Sequence, residues 1–338
     1  MVVKNVFKKI FFVGDFCSNT GPSIVNKNIK TKLGNELYYY SISSNKIIRI
    51  FELLIKILFS KNVCFSGFSN INYYGIKICK FLNKRCFYLM HGYLKKEYEI
   101  NKVNNDKKIK LERYILNNVN KVICVSEPFM DYLKNEGYKS SFAYIYCNIP
   151  DVVLENKNNI KDKNLIMSTG GLTSIKNNLI VCKAIELINK NRNSNNKLKY
   201  IIVGNSNNEL DKIKDYDFLT FYETIPHEDC LELMKKAYLY IQNSYFESFN
   251  LSVLESLMNG CNVLFSTNLG IKGIFKNIDN NNIIENVNDM NEIAIKINKI
   301  LNEPNYDEMI NSIDFEIYNE KNQFERLIKI ICDDDVEG

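Results

Sequence analysis

Short runs of Val, Ile, Phe and Tyr alternate along this chain with segments in which apolar residues recur every three or four positions. Runs of the first kind fit strands covered on both faces, and segments of the second kind fit helices lying on a sheet. Their alternation therefore predicts βαβ units and parallel sheets. In the first half the pattern predicts strands at Ile10 to Gly14, Leu37 to Ile42, Val63 to Phe68, Cys86 to His91, Lys121 to Ser126 and Phe142 to Cys147. A second set follows at Leu165 to Thr169, Tyr200 to Gly204, Leu219 to Glu223, Leu239 to Ser244, Val263 to Ser266 and Ile283 to Ile284, with helical spacing over Asn177 to Asn189 and Asn250 to Met258. Between the sets, Asp151 to Asn164 is polar, rich in Asn and Lys, and reads as a linker. The expected organisation is an α/β domain over 1–150, a linker over 151–163, a second α/β domain over 164–301, and a helical segment over 302–338 ending in the acidic tail Asp333 to Asp335.

At 338 residues and 46% hydrophobic, the chain can fill two such cores. No stretch reaches the roughly 20 apolar residues of a spanning helix. Lys4, Lys8 and Lys9 beside apolar residues suggest a signal peptide, but Gly14 and Asp15 interrupt the apolar run and a buried first strand explains it better. A cytoplasmic protein is expected. The ten cysteines form no Cys-x-x-Cys pair and several lie in apolar strands, as buried reduced thiols do. With only His91 and His227 as histidines, no metal site is expected.

Charge divides the chain. Residues 1 to 150 hold 24 basic and 10 acidic side chains, and the remainder 20 basic and 29 acidic. A basic half fits an anionic membrane surface, a phosphorylated acceptor, or simply a solvated Lys-rich surface. Nucleic acid is not expected, because no recognition motif for it is present. Lys46 to Lys61, KIIRIFELLIKILFSK, is an apolar helix with basic residues that either lies in a bilayer interface or packs on the first sheet.

The segment Asn243 to Ser266, NSYFESFNLSVLESLMNGCNVLFS, carries Glu247 and Glu255 eight positions apart, ahead of and inside a predicted helix. If that helix is continuous, the two carboxylates share a broad face, and each can accept two hydrogen bonds from a vicinal diol. The segment resembles the E-x7-E motif of family 4 retaining glycosyltransferases. The resemblance implies that Glu247 contacts the donor sugar's hydroxyls and phosphate region and acts in catalysis, and that Glu255 binds the ribose. Ser248, Phe249, Asn250 and Leu251 would complete the donor site, with Ser248 and Asn250 standing where the family commonly has glycine.

Ser168 to Asn177, STGGLTSIKN, resembles the same family's strand, turn and helix that clamp the donor diphosphate. Lys176 falls on the family lysine and Gly171 falls where an arginine is usual, with Gly170 beside it as a further donor-binding candidate. Losing that cation removes a charge-assisted bond of about 1.5–3 kcal/mol unless another cation substitutes. His91-Gly92, at a strand end, resembles the family histidine near the donor sugar and is the second catalytic candidate. Gly21 falls in a loop that resembles the first βα loop near donor and acceptor. Val122 to Glu127 and Ile145 to Asp151 resemble further family segments, Asn148 being matched and Ile149 replacing a glycine. His227, at a helix start, is not expected to be catalytic.

The resemblance implies the GT-B architecture, two Rossmann-like domains facing across a cleft, the first binding acceptor and the second the nucleotide-sugar. It implies a retaining, metal-independent hexosyltransferase without cofactor, using a UDP- or GDP-linked donor and a glycan or lipid-linked acceptor in bacterial cell-surface polysaccharide synthesis. Peripheral attachment to the inner face of the membrane through the basic domain is compatible with it. Two other readings stay open: a sugar-nucleotide epimerase or phosphorylase of the same fold, and a partner subunit that has lost activity.

Overall fold

The computed structural model describes residues 10–18, 20–33, 38–39, 46–146, 160–206, 213 and 215–332. Lys4, Lys8, Lys9, Cys147, Asn148, Ile149, most of the expected linker, the outer residues of the expected strand at 37–42, and the tail Asp333 to Asp335 lie outside them. The chain divides into two compact units. One consists of Met1–Lys95, Asn104–Asn148 and Glu316–Gly338, the other of Lys96–Val103 and Ile149–Phe315.

The first unit is built on β1 (Ile10–Val13), α1 (Gly21–Leu33), β2 (Tyr38–Tyr39), α2 (Lys46–Phe59), β3 (Asn62–Ser66), α3 (Asn70–Phe81) and β4 (Arg85–Met90). After α4 (Leu94–Asn101), which from Lys96 on is grouped with the second unit, it continues through α5 (Asp106–Asn118), β5 (Lys121–Cys124), α6 (Glu127–Lys134) and β6 (Ser141–Tyr144). All pairings are parallel in the order β2-β1-β3-β4-β5-β6. Every residue of β1 and β3 is buried, as expected of strands covered on both faces. Helix starts follow local chemistry. Ser69 Oγ accepts from Asn72 N at 3.1 Å, and Ser126 Oγ accepts from Phe129 N at 3.2 Å, the latter followed by Pro128 in the first turn.

The second unit runs β7 (Asp162–Thr169), a 3₁₀ turn at Ser174–Lys176, α7 (Asn178–Asn189), β8 (Lys199–Val203), β9 (Leu219–Tyr222), α8 (His227–Lys236) and β10 (Ala237–Gln242). It ends with α9 (Leu251–Met258), β11 (Asn262–Ser266), β12 (Ile283–Ile284), α10 (Met290–Asn302) and α11 (Tyr306–Asn311). Its sheet is again parallel, ordered β12-β11-β10-β7-β8-β9. β7 starts at Asp162, so the end of the expected linker is already strand.

The last residues do not form one segment. After α12 (Phe315–Tyr318), α13 (Glu320–Cys332) returns to the first unit, where Leu327, Ile330 and Ile331 are buried and Gln323 Oε1 accepts from Tyr146 N at 2.8 Å. Strand order reverses between β1 and β3 in the first sheet and between β7 and β10 in the second. Ligands of such sheets bind beyond the carboxyl ends of the strands at these switch points.

Candidate functional site

In the second unit the switch point is flanked by the Gly170-Gly171 turn after β7 and by Asn243 to Asn250 after β10. Gly171 has φ +75°, its N–H donates to Val203 O at 3.0 Å, and Leu172 N donates to Asn205 O at 2.8 Å. A Cβ on Gly171 would stand 1.9 Å from Asn205 O, so no side chain fits there on this backbone. Gly170, φ +89°, lies under Lys176, whose Cε would be 2.4 Å from an added Cβ. The open face of Gly170 lets the lysine fold back across the turn, and its ammonium pairs with Glu247 Oε1. The two candidates from separate motifs thus meet as an ion pair, each side chain less than one-fifth exposed.

Glu247 is held from behind by a chain of hydroxyl and amide groups. Tyr240 OH donates to Gln242 Oε1 at 2.9 Å, Gln242 Nε2 to Ser244 Oγ at 2.8 Å, and Ser244 Oγ to Glu247 Oε1 at 3.0 Å. Because the one phenolic proton of Tyr240 goes to Gln242, Thr169 Oγ1, 2.6 Å away, donates to Tyr240. Every proton in the chain points toward the carboxylate, and each bond polarises the next. Burial pushes the Tyr240 phenol up, so it keeps that proton. Tyr240, Gln242 and Ser244 are missed by sequence reading because they look like ordinary strand residues; alternation of polar groups along 240, 242 and 244 is the signal that marks them.

Glu255 lies inside α9, as expected, but the helix does not reach back to Glu247. α9 begins at Leu251, so Glu247 precedes the helix and the two carboxylates do not share a helical face. The break is set by Asn250, at φ 89° and ψ 81°, whose Oδ1 accepts from Val253 N at 3.2 Å as the helix cap. Asn tolerates this left-handed backbone better than other side-chain-bearing residues, which is how it stands in for glycine. The loop to Glu247 is pinned by Gly270 N to Glu247 O at 3.0 Å and Ile271 N to Phe249 O at 2.8 Å. Phe249 is buried. Glu255 Oε1 lies 3.5 Å from His227 Nε2, and His227 opens α8 as expected of a helix-start residue. Burial raises the Glu255 carboxyl above its ordinary range, with His227 pulling it partly back.

In the first unit the switch point gathers Asp15, Asn26, Ser66 and His91. Asp15 accepts from Cys17 N at 2.8 Å and Ser18 N at 3.2 Å and bonds Ser18 Oγ at 2.5 Å; that hydroxyl is the main cause of its lowered pKa. Asn26 Nδ2 donates to Asp15 O at 3.0 Å while its Oδ1 accepts from Ser66 Oγ at 2.6 Å. With the Ser66 proton so committed, the 2.8 Å contact between Ser66 Oγ and His91 Nε2 requires the proton on Nε2. Burial pushes His91 down to about 4, so the ring is neutral near pH 7. Gly21 is the exposed first residue of α1, and an added Cβ would meet nothing within 4 Å. The contacts of α1 to this loop come instead from Ser23, Asn26 and Lys27, with Ser23 Oγ and Lys27 Nζ donating to Ser18 O at 2.6 and 2.7 Å.

Residues 153–314 match the family model described as "Glycosyl transferases group 1". Among solved structures, the chain is similar to sucrose-phosphate synthase from Thermosynechococcus elongatus at 15% identity, covering 96% of this chain and 95% of that one with a TM-score of 0.64. It is similar to Anabaena HepE in complex with UDP-glucose at 12% identity, with coverages of 96% and 95% and a TM-score of 0.67. It is also similar to the lipopolysaccharide outer core galactosyltransferase WaaB at 14% identity, with coverages of 96% and 99% and a TM-score of 0.65. Comparison with curated proteins finds no match. The fold is GT-B.

The matched residues of this GT-B chain contain both Lys176 and Glu247 and every side chain of the polar chain between Thr169 and Glu247. Among the described residues no helix is long and apolar enough to cross a membrane, and no three His, Cys, Asp or Glu side chains are grouped to hold a metal ion.

Proposed function

We propose that the protein is a retaining, metal-independent glycosyltransferase that moves a hexose-type sugar from a UDP- or GDP-linked donor to a glycan or lipid-linked acceptor in bacterial cell-surface polysaccharide synthesis. The observation that carries this reading is the Lys176–Glu247 pair at the switch point of a unit matched by the group 1 model. HepE, solved with UDP-glucose, and WaaB, named a galactosyltransferase, support a nucleotide-linked hexose as donor.

In this reading the second unit binds the donor and the first the acceptor. Glu247, held by Ser244, bonds the sugar hydroxyls, and Glu255 bonds the ribose diol. Lys176 swings from Glu247 to the diphosphate and, with the first amides of α9, stabilises the charge that develops as the anomeric C–O bond to phosphate breaks. The acceptor oxygen then bonds the same face of the anomeric carbon and its proton passes to the departing phosphate. His91, neutral, serves as a hydrogen-bonding group beside the sugar rather than as a cation. Gly170 and Gly171 shape the turn, and Ser248 and Leu251 bring backbone amides to the phosphate.

The test is a thermal-shift screen of UDP-, GDP-, ADP- and CMP-sugars with and without EDTA. One donor class stabilises the protein in EDTA if the reading is right. No response to any donor would favour a partner subunit without activity, a reading that the closed position at Gly171 also motivates. Product analysis separates transfer from epimerisation and phosphorolysis.

A further inference from the structure

α2 buries only a narrow stripe, Leu53 and Ile57, and turns apolar side chains outward as well. Phe51, Ile55, Leu58 and Phe59 are 61%, 53%, 48% and 85% exposed, spaced three or four apart along the outer face. A fifth, Phe81, at the end of α3, is 88% exposed. Phe59 and Phe81 stand at neighbouring corners of the first unit. They precede β3 and β4, which pair from Asn62↔Arg85 onward, and Lys84 Nζ ties the corners together by donating to Leu58 O at 2.7 Å and Ser60 O at 3.1 Å. Both corners lie at the amino-terminal edge of the sheet, opposite the edge that carries Ser66 and His91.

The charge around this surface is one-sided. Residues 46 to 86 hold eight Lys or Arg and a single acidic residue, Glu52, which pairs with Lys56 one turn along α2. Large exposed phenylalanines with Lys61, Lys80 and Lys84 close by in the chain are costly to leave in water and complementary to anionic headgroups over an acyl layer. A second copy of the chain is a poor occupant, because pairing the face with itself would bring two basic rims together.

We propose that the outer face of α2 and the corners before β3 and β4 rest in the interface of an anionic bilayer, with Phe59 and Phe81 as apolar anchors and Lys61 and Lys80 among the headgroups. Docked this way, the edge bearing His91 faces away from the acyl layer and stays open to ligands. The apolar anchors set depth, and the cations set preference for anionic lipid and sensitivity to salt.

The experiment is co-flotation of the full chain with vesicles of phosphatidylcholine alone and of phosphatidylcholine with phosphatidylglycerol, at low and high salt. The expected result is binding to the phosphatidylglycerol vesicles that weakens with salt, falls about tenfold or more in Phe59→Ser/Phe81→Ser, and falls less in Lys61→Glu. Both phenylalanines are exposed, so the variant keeps its fold, and an unchanged melting temperature and unchanged donor-induced thermal shift verify this without reference to vesicles. Wild-type protein that ignores phosphatidylglycerol vesicles overturns the proposal. So does a double variant that binds them as well as wild type. Light scattering that shows a wild-type dimer lost in the double variant, with no vesicle binding in either, would assign the face to a second copy instead.

Discussion

The two switch points hold their candidate residues with hydrogen-bond chains of opposite character. In the first unit the chain from Asp15 through Asn26 and Ser66 ends on His91, a partly buried ring kept neutral. In the second the chain from Thr169 through Tyr240, Gln242 and Ser244 ends on a carboxylate, and Lys176 supplies the compensating charge. A neutral end suits a group that orients a ligand. A charged end with a movable counter-ion suits the exchange of one partner for another when a diphosphate arrives. The contrast teaches that position on equivalent sheets does not fix chemistry; the polarity of the groups behind the site does.

The largest effect is expected at Gly171→Arg, a change that would place the family's cation in the turn. Its Cβ would overlap Asn205 O, so the variant loses at least about 4 kcal/mol in urea unfolding and gains no donor affinity. A stable variant with tighter donor binding would show that the turn can rearrange.

The neutral end is tested by pH. The unfolded histidine takes a proton below its ordinary value of 6.5, while folded His91 resists until about 4. The unfolded state therefore binds more protons in that window, and stability falls as pH drops from about 6.5 toward 4, by up to roughly 3 kcal/mol. His91→Gln lacks this part of the slope in unfolding measurements, with Ser66 keeping a hydrogen-bonding neighbour.

At the charged end, Gln242→Leu leaves the Tyr240 and Ser244 hydroxyls without their partner in a buried place. A loss of about 2 kcal/mol is expected, together with slower donor hydrolysis as Glu247 loses its fixed orientation. Unchanged hydrolysis would reduce the chain to a packing feature. The smallest effect separates glycine-like backbone from capping at Asn250. Asn250→Ala costs about 1 kcal/mol, combining a lost cap with an unrelieved positive φ, while Asn250→Gly stays near wild type in thermal melts.

Much of this was legible because it is local. Strand cores such as Val63 to Ser66 and Ile283 to Ile284, and the helix start at His227, follow from periodicity and turn signals. That the two carboxylates share no helical face was not to be had, because the backbone angle at Asn250 decides where the helix stops. Nor were the long-range contacts. Ser66 meets His91 across 25 positions and Tyr146 meets Gln323 across 177, and no local pattern encodes either. The arginine expected at 171 is absent for a reason visible only in three dimensions, since the backbone of Gly204 and Asn205 fills its place. In α2 Leu53 and Ile57 are buried while Phe51 and Phe59 stay exposed, a division that helical spacing alone does not reveal in so apolar a segment.

The account rests most directly on Glu247. The deciding measurement is the slow hydrolysis, in EDTA, of whichever nucleotide-sugar stabilises the protein, by wild type and by Glu247→Gln. The account predicts hydrolysis by wild type and its loss in the variant, with the donor-induced thermal shift retained because Lys176 and Glu255 remain. Hydrolysis at the wild-type rate in Glu247→Gln would contradict it.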